Sequence, residues 1–161
     1  MRGLPLALLL AIALSACSPK YDWRDYRSAD APYAVLFPGK PATHTRTIRL
    51  DQLTVSMTMA ASDIDGLVFA IGSAQLADAA QAPAALTAMQ AAMVSNIGGT
   101  ITSSRQLPGG GVELAASGPT MRLLGRFIAR DRRIYQVVIV GPARQFDAET
   151  AETFFTSFKL L

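Results

Sequence analysis

From Leu53 to Ala61 the chain alternates, with Val55, Met57 and Met59 on one side and Thr54, Ser56 and Thr58 on the other, the two-residue period of a half-buried strand. Thr43 to Leu50 alternates before it. Asp63-Ile64-Asp65-Gly66 leads into the apolar run Leu67 to Ile71, and an Asp-Gly step there signals a tight hairpin, because glycine tolerates the positive φ it needs. These three segments predict an antiparallel meander. A short strand, Tyr33 to Phe37, opens the sequence of elements and ends at Pro38-Gly39-Lys40-Pro41. The period changes at Ala79 to Ile97, where Leu86, Met89, Met93 and Ile97 recur at spacings of three and four; this predicts an amphipathic helix with Pro83 in its first turn and Gly98-Gly99 at its end.

Strand character returns at Thr100 to Leu107 and, past the turn Pro108-Gly109-Gly110-Gly111, at Val112 to Ser117. Met121 to Arg130 and Ile134 to Val140 are two more strands, the second almost wholly apolar and therefore expected near the middle of the sheet. A second helix is expected within Phe146 to Phe158, capped by Asp147, with Glu149 and Glu152 following it and Phe154, Phe155 and Phe158 turned to the sheet. Phe158 to Leu161 is read as a short extended tail. The fold class expected is α+β: an antiparallel sheet with two main helices packed on it.

The N-terminus follows a different rule. Met1-Arg2 is basic and Leu4 to Leu14 is an apolar run of about 11 residues, against the roughly 20 of a membrane-spanning helix; the layout is that of a signal peptide. Leu14-Ser15-Ala16-Cys17 then resembles the lipobox of bacterial lipoproteins, which implies recognition of Leu14, Ser15 and Ala16 by the signal peptidase, cleavage before Cys17, and a diacylglyceryl group on Cys17. The plainer alternative is a secretory signal cut near Ala16. Cys17 is the only cysteine, so it has no internal disulfide partner, and a lipid attachment needs none. Two acyl chains hold a protein stably where one is marginal. By resemblance to Gram-negative lipoproteins, Ser18 rather than Asp after the cysteine points to the outer membrane more than the inner. The organisation expected is a signal peptide at 1–16, a lipidated tether at 17–32 and a single α+β domain at 33–161. Tyr21, Trp23 and Tyr26 stand out in so polar a tether, and two readings are open: they dock on the domain, or they touch lipid headgroups or a partner.

Charge and chemistry narrow the function by exclusion. Loss of Arg2 from the 15 Lys+Arg leaves 14 against 12 Asp+Glu, a near-neutral balance that argues against dedicated nucleic-acid binding. His44 is the sole histidine, so metal centres built on several His or Cys ligands are excluded, and a Ser-His-Asp triad has only that residue to use. No serine stands in a G-x-S-x-G elbow. Asp63 and Asp65 flank a turn, where aspartate caps the backbone. The glycines at 109–111 precede a strand rather than a phosphate-cradling helix. No catalytic residue, metal or cofactor is assigned. One feature stands out: Arg122, Arg126 and Arg130 share a strand face by period two, with Leu124 and Ile128 between them and Arg132 and Arg133 just beyond. Arginine forks match phosphate and carboxylate geometry, so this stripe is a candidate for an anionic partner. The plainer reading is a solvated sheet edge, where charge discourages unwanted strand pairing.

The order of elements also carries a likeness. A Tyr-x-Val-x-Phe-Pro opening strand, a meander, a long helix, a second antiparallel set ending in Ile134-Tyr135-Gln136-Val137-Val138, and a last helix reading Phe154-Phe155-Thr156-Ser157-Phe158 resemble the PsbP-type α/β/α sandwich over Tyr33 to Leu161. Asp22-Trp23-Arg24 after the cysteine is similar to small uncharacterised proteobacterial lipoproteins. The PsbP likeness implies an accessory or binding module, not an enzyme. The function expected is thus a lipid-anchored periplasmic accessory or binding protein, its partners the membrane through Cys17 and an envelope protein or anionic lipid, with no nucleic acid. The alternatives are an envelope hydrolase of unfamiliar type and a purely structural lipoprotein.

Overall fold

A computed structural model describes residues 19–161. The expected signal peptide at 1–16 with Leu14, Ser15 and Ala16, the lipid site Cys17, and Ser18 all lie outside the described residues.

The strands are β1 (Arg24–Arg27), β2 (Tyr33–Phe37), β3 (Ala42–Leu50), β4 (Leu53–Ile64), β5 (Leu67–Gln75), β6 (Thr100–Gln106), β7 (Val112–Ser117), β8 (Met121–Arg130), β9 (Arg133–Pro142) and β10 (Lys159–Leu160); the helices are α1 (Ala82–Asn96) and α2 (Ala148–Ser157). Seven strands form one antiparallel sheet in the order β3-β4-β5-β9-β8-β7-β6. The expected meander is β3-β4-β5, and β9 is central, as its apolar run demands: Ile134 and Val138 join the core on one face, Tyr135, Val137 and Ile139 the core on the other.

Two features depart from the expectation of one sheet over a tether. The opening strand β2 does not join the large sheet; it pairs with β1 on one edge and β10 on the other, making a second antiparallel sheet of three strands. The chain from Tyr21 onward belongs to the fold, so the tether expected at 17–32 is in part a strand and the folded unit begins well before residue 33. The reason is local. β2 would otherwise expose an edge of unpaired N–H and C=O groups, and Arg24–Arg27 satisfies it, while the Asp22 N–H donates to the Pro38 carbonyl at 3.0 Å. Of the two readings open for the aromatics, the structure has them on the domain: Tyr21 meets Phe69 edge-on with centroids 6.4 Å apart, Tyr26 meets Phe37 at 5.3 Å, and Trp23 packs against the same cluster.

The helices lie on opposite faces of the large sheet. α1 buries Ala82, Ala85 and Met89 against β8 and β9, over a core that includes Phe127, Leu123 and Val138. A short 3-10 turn, Ala79–Gln81, precedes it, with Asp78 and Gln81 forming a reciprocal cap. α2 and the small sheet cover the other face, where Phe154 meets the rings of Phe37, Phe69 and Phe155 at 5.8, 5.3 and 5.6 Å. Asp147 caps α2 by accepting the Thr150 N–H at 3.1 Å. The β4–β5 hairpin turns on Asp65 and Gly66 at φ of 53° and 91°, both positive as a type I′ turn requires, and the Gly66 N–H donates to Asp63 Oδ1 at 2.8 Å. No described helix is long and apolar enough to cross a membrane.

Candidate functional site

The arginine stripe is on β8, with β9 on one side and β7 on the other, so it is an interior strand and the stripe is no sheet edge. Leu123 and Phe127 point to the α1 core; Arg122, Leu124, Arg126, Ile128 and Arg130 point to the α2 side. The three arginines then part company. Arg122 lies over the Phe146 ring, 5.2 Å from its centroid, and is half-buried there. Arg126 lies over Phe155 at 5.1 Å and donates through Nε to Glu113 Oε2 at 2.7 Å. A guanidinium over an aromatic face is held by the ring quadrupole, so both are largely engaged within the fold. Arg130, past the end of α2, is exposed, and among the described residues it joins no ion pair.

Glu113 is the clamp that strand register builds. Arg105 on β6, Glu113 on β7 and Arg126 on β8 are directly opposite one another across the sheet, and Glu113 accepts from Arg105 Nε at 2.8 Å as well as from Arg126. Partial burial pushes its carboxyl up, but the hydrogen bonds and charge of Arg126 and Arg105 outweigh that and hold it below the ordinary glutamate range. One carboxylate thus serves two arginines, leaving the row net positive.

Around Arg130 the surface forms two adjoining hollows. The larger, about 750 Å³, is an open trough with Arg105, Arg126, Arg130 and Lys159 among Leu107, Ile128 and Phe158. The smaller, about 300 Å³, has Arg130, Arg132 and Arg133 with one acid, Asp131, and apolar walls from Pro32 and Tyr135. Arg130 and Leu160 belong to both. Arg133 is engaged, donating to Ser73 Oγ at 3.0 Å and Gln75 Oε1 at 2.9 Å. The cations left facing solvent are Arg130 and Lys159, with Arg105 and Arg132 on the rims. Lys159 and Arg105 were not legible as members of this group: they come from β10 and β6, and only the return of the C-terminus along β2 and the β6–β7 hairpin bring them to Arg130.

The trough has the chemistry of recognition: fixed positive charge, apolar filling, and no carboxylate among the residues that line it, Glu113 being the partner of Arg105 and Arg126 outside its wall. His44 is elsewhere. It is exposed on the edge strand β3, across from Met59, and the groove it borders has neither carboxylate nor serine in its wall. Among the described residues no group of three or more His, Cys, Asp and Glu is placed to hold a metal ion. The fold and site therefore define an α+β domain of two antiparallel sheets with an open, basic, partly apolar trough at one end. No protein-family model matches the chain, and no curated protein matches it.

Proposed function

We propose that the chain is a non-catalytic accessory or binding lipoprotein of the bacterial envelope, anchored through acyl chains on Cys17 in the outer membrane, which docks an anionic partner in the Arg130–Lys159 trough. The trough is the observation that carries this reading: four cations from two strands of the large sheet and the C-terminal strand β10 converge on one open surface with a single compensating carboxylate nearby. The helices on opposite faces of the large sheet support the finer reading of the fold as a PsbP-type α/β/α sandwich.

The placement of the trough favours an acidic protein surface over the anchoring leaflet. In β2 the Phe37 end pairs with Arg24, where the chain arrives from the N-terminus, and the Tyr33 end pairs with Leu160. The strand between them runs about 13 Å at ~3.3 Å per residue. An anchor at Cys17 joins the domain at the Phe37 end through a leash of at most about 14 Å to Tyr21, at ~3.6 Å per residue, so with that end toward the membrane the Lys159 end faces away from it. Crosslinking in intact envelopes tests the proposal. The natural protein should capture a specific acidic partner that an exported, folded Arg130→Glu, Lys159→Glu variant loses; equal capture by both contradicts the assignment of the trough.

A further inference from the structure

The α1 side of the large sheet holds a second concavity. α1 lies over β8 and β9 and reaches across to β3, and between the helix and that edge strand runs a groove of about 490 Å³. Its floor is Met57 and Met59 of β4 with Gln136 of β9, and its helix wall is Met89, Ala92 and Met93. The floor depends on a glycine. Met59, Gly72 and Gln136 are directly opposite across three strands, and a Cβ at Gly72 would lie 2.5 Å from Met59 Sδ and 2.9 Å from Gln136 Cγ. With none there, both side chains lean over it, and the Gln136 amide donates to the sulfurs of Met59 and Met93 at 3.7 and 3.8 Å.

This lining has a definite ligand preference. Methionine is unbranched and polarisable, and adapts to irregular apolar shapes, as at binding surfaces that accept varied apolar partners. The volume falls in the lower half of the ~300–1,000 Å³ of small-ligand pockets, which are mostly apolar with a few polar groups to fix orientation; that suits one alkyl chain. The polar groups of the outer lip are His44, Arg46, Arg49 and the neutral Asn96, and no carboxylate lines the groove. An apolar trench with a cationic lip matches an amphiphile with one chain and an anionic head. We infer that this groove binds a long-chain fatty acid, its alkyl chain along the four methionines and its carboxylate at Arg46. The groove is on the face opposite the Arg130–Lys159 trough, so the inference does not rest on that reading and either can fail alone.

Photolabelling of the purified full chain with palmitate carrying a mid-chain diazirine tests it. Adducts should concentrate on peptides bearing Met57, Met59, Met89 and Met93, and excess palmitate should suppress them. Ala92 is an exposed helix position on the groove wall, so Ala92→Trp fills the groove without entering the core; with an unchanged melting temperature it should lower labelling about tenfold, the scale of ~1.4 kcal/mol. Arg46→Glu should weaken competition by palmitate and leave competition by hexadecanol unchanged. Labelling scattered over the surface, or indifferent to excess palmitate or to Ala92→Trp, overturns the site. Equal competition by palmitate and hexadecanol in the natural chain overturns the carboxylate's part in it.

Discussion

Glu113 shows how much one side chain decides. Bracketed by Arg105 and Arg126 and half-buried, with 28 % of its side chain exposed, it fixes Arg126 over Phe155 and leaves Arg130 as the free member of the stripe. Its folded carboxyl titrates below its unfolded value, so the stabilisation it gives is complete above the ordinary glutamate range and is lost as pH falls through the lowered value. Glu113→Gln should therefore lower stability by about 1 kcal/mol at neutral pH, and the gap to the natural protein should close on acidification, as read by urea unfolding at both pH values; a gap that widens in acid contradicts the ion-pair account. Gly72 acts by what it lacks. Gly72→Ala should destabilise the fold by ~1–3 kcal/mol through overpacking against Met59 and Gln136, with the same urea midpoints as readout; an unchanged midpoint would show that those side chains move aside freely. Period-two spacing put Arg122, Arg126 and Arg130 on one face from sequence, but it did not separate them, because Phe146, Phe155 and Glu113 reach the stripe only through tertiary packing and strand register.

At the level of elements, pattern was most informative where one face is buried and the other wet. The alternation of β4 placed Val55 and Met57 in the core, the three-and-four spacing of α1 placed Met89 in it, and an apolar run placed β9 at the centre. The small sheet was hidden for a matching reason. β1 is four residues, Arg-Asp-Tyr-Arg, with three of them exposed; nothing in such a segment announces a strand, and it exists because β2 offers an unpaired edge and Tyr21, Trp23 and Tyr26 find apolar surface beside it. Likewise β10, two residues long, carries Lys159 to the trough by pairing with β2. Hydrogen exchange distinguishes this arrangement from a free tether: amides of β1 paired to β2 should be protected, and Trp23→Ala should make them exchange faster while leaving β9 unchanged. Full exchange of Arg24–Arg27 in the natural chain at the earliest times would mean that the segment is not a strand in solution.

The whole molecule combines a scaffold and two dissimilar faces, to which the proposed function adds an anchor. The seven-stranded sheet is covered on one side by α1 and on the other by α2 and the small sheet; the trough opens at the Tyr33 end of β2, and the chain enters at the Phe37 end. Because the chain is packed on the domain from Tyr21, a lipid on Cys17 would attach through a leash of only a few residues at the Phe37 end of β2, opposite the end where the trough opens. That geometry gives the basic trough a role facing the periplasm only if the anchor exists, which makes the N-terminus the foundation of the functional account. The direct measurement is the mass of the N-terminal peptide of the protein recovered from envelope membranes, for the natural chain and for Cys17→Ser. The mature chain should begin at Cys17 and carry a diacylglyceryl mass increment, with the Cys17→Ser form unprocessed or released from the membrane. A natural chain that begins elsewhere with an unmodified terminus, or a Cys17→Ser form processed and retained as the natural one is, would contradict it.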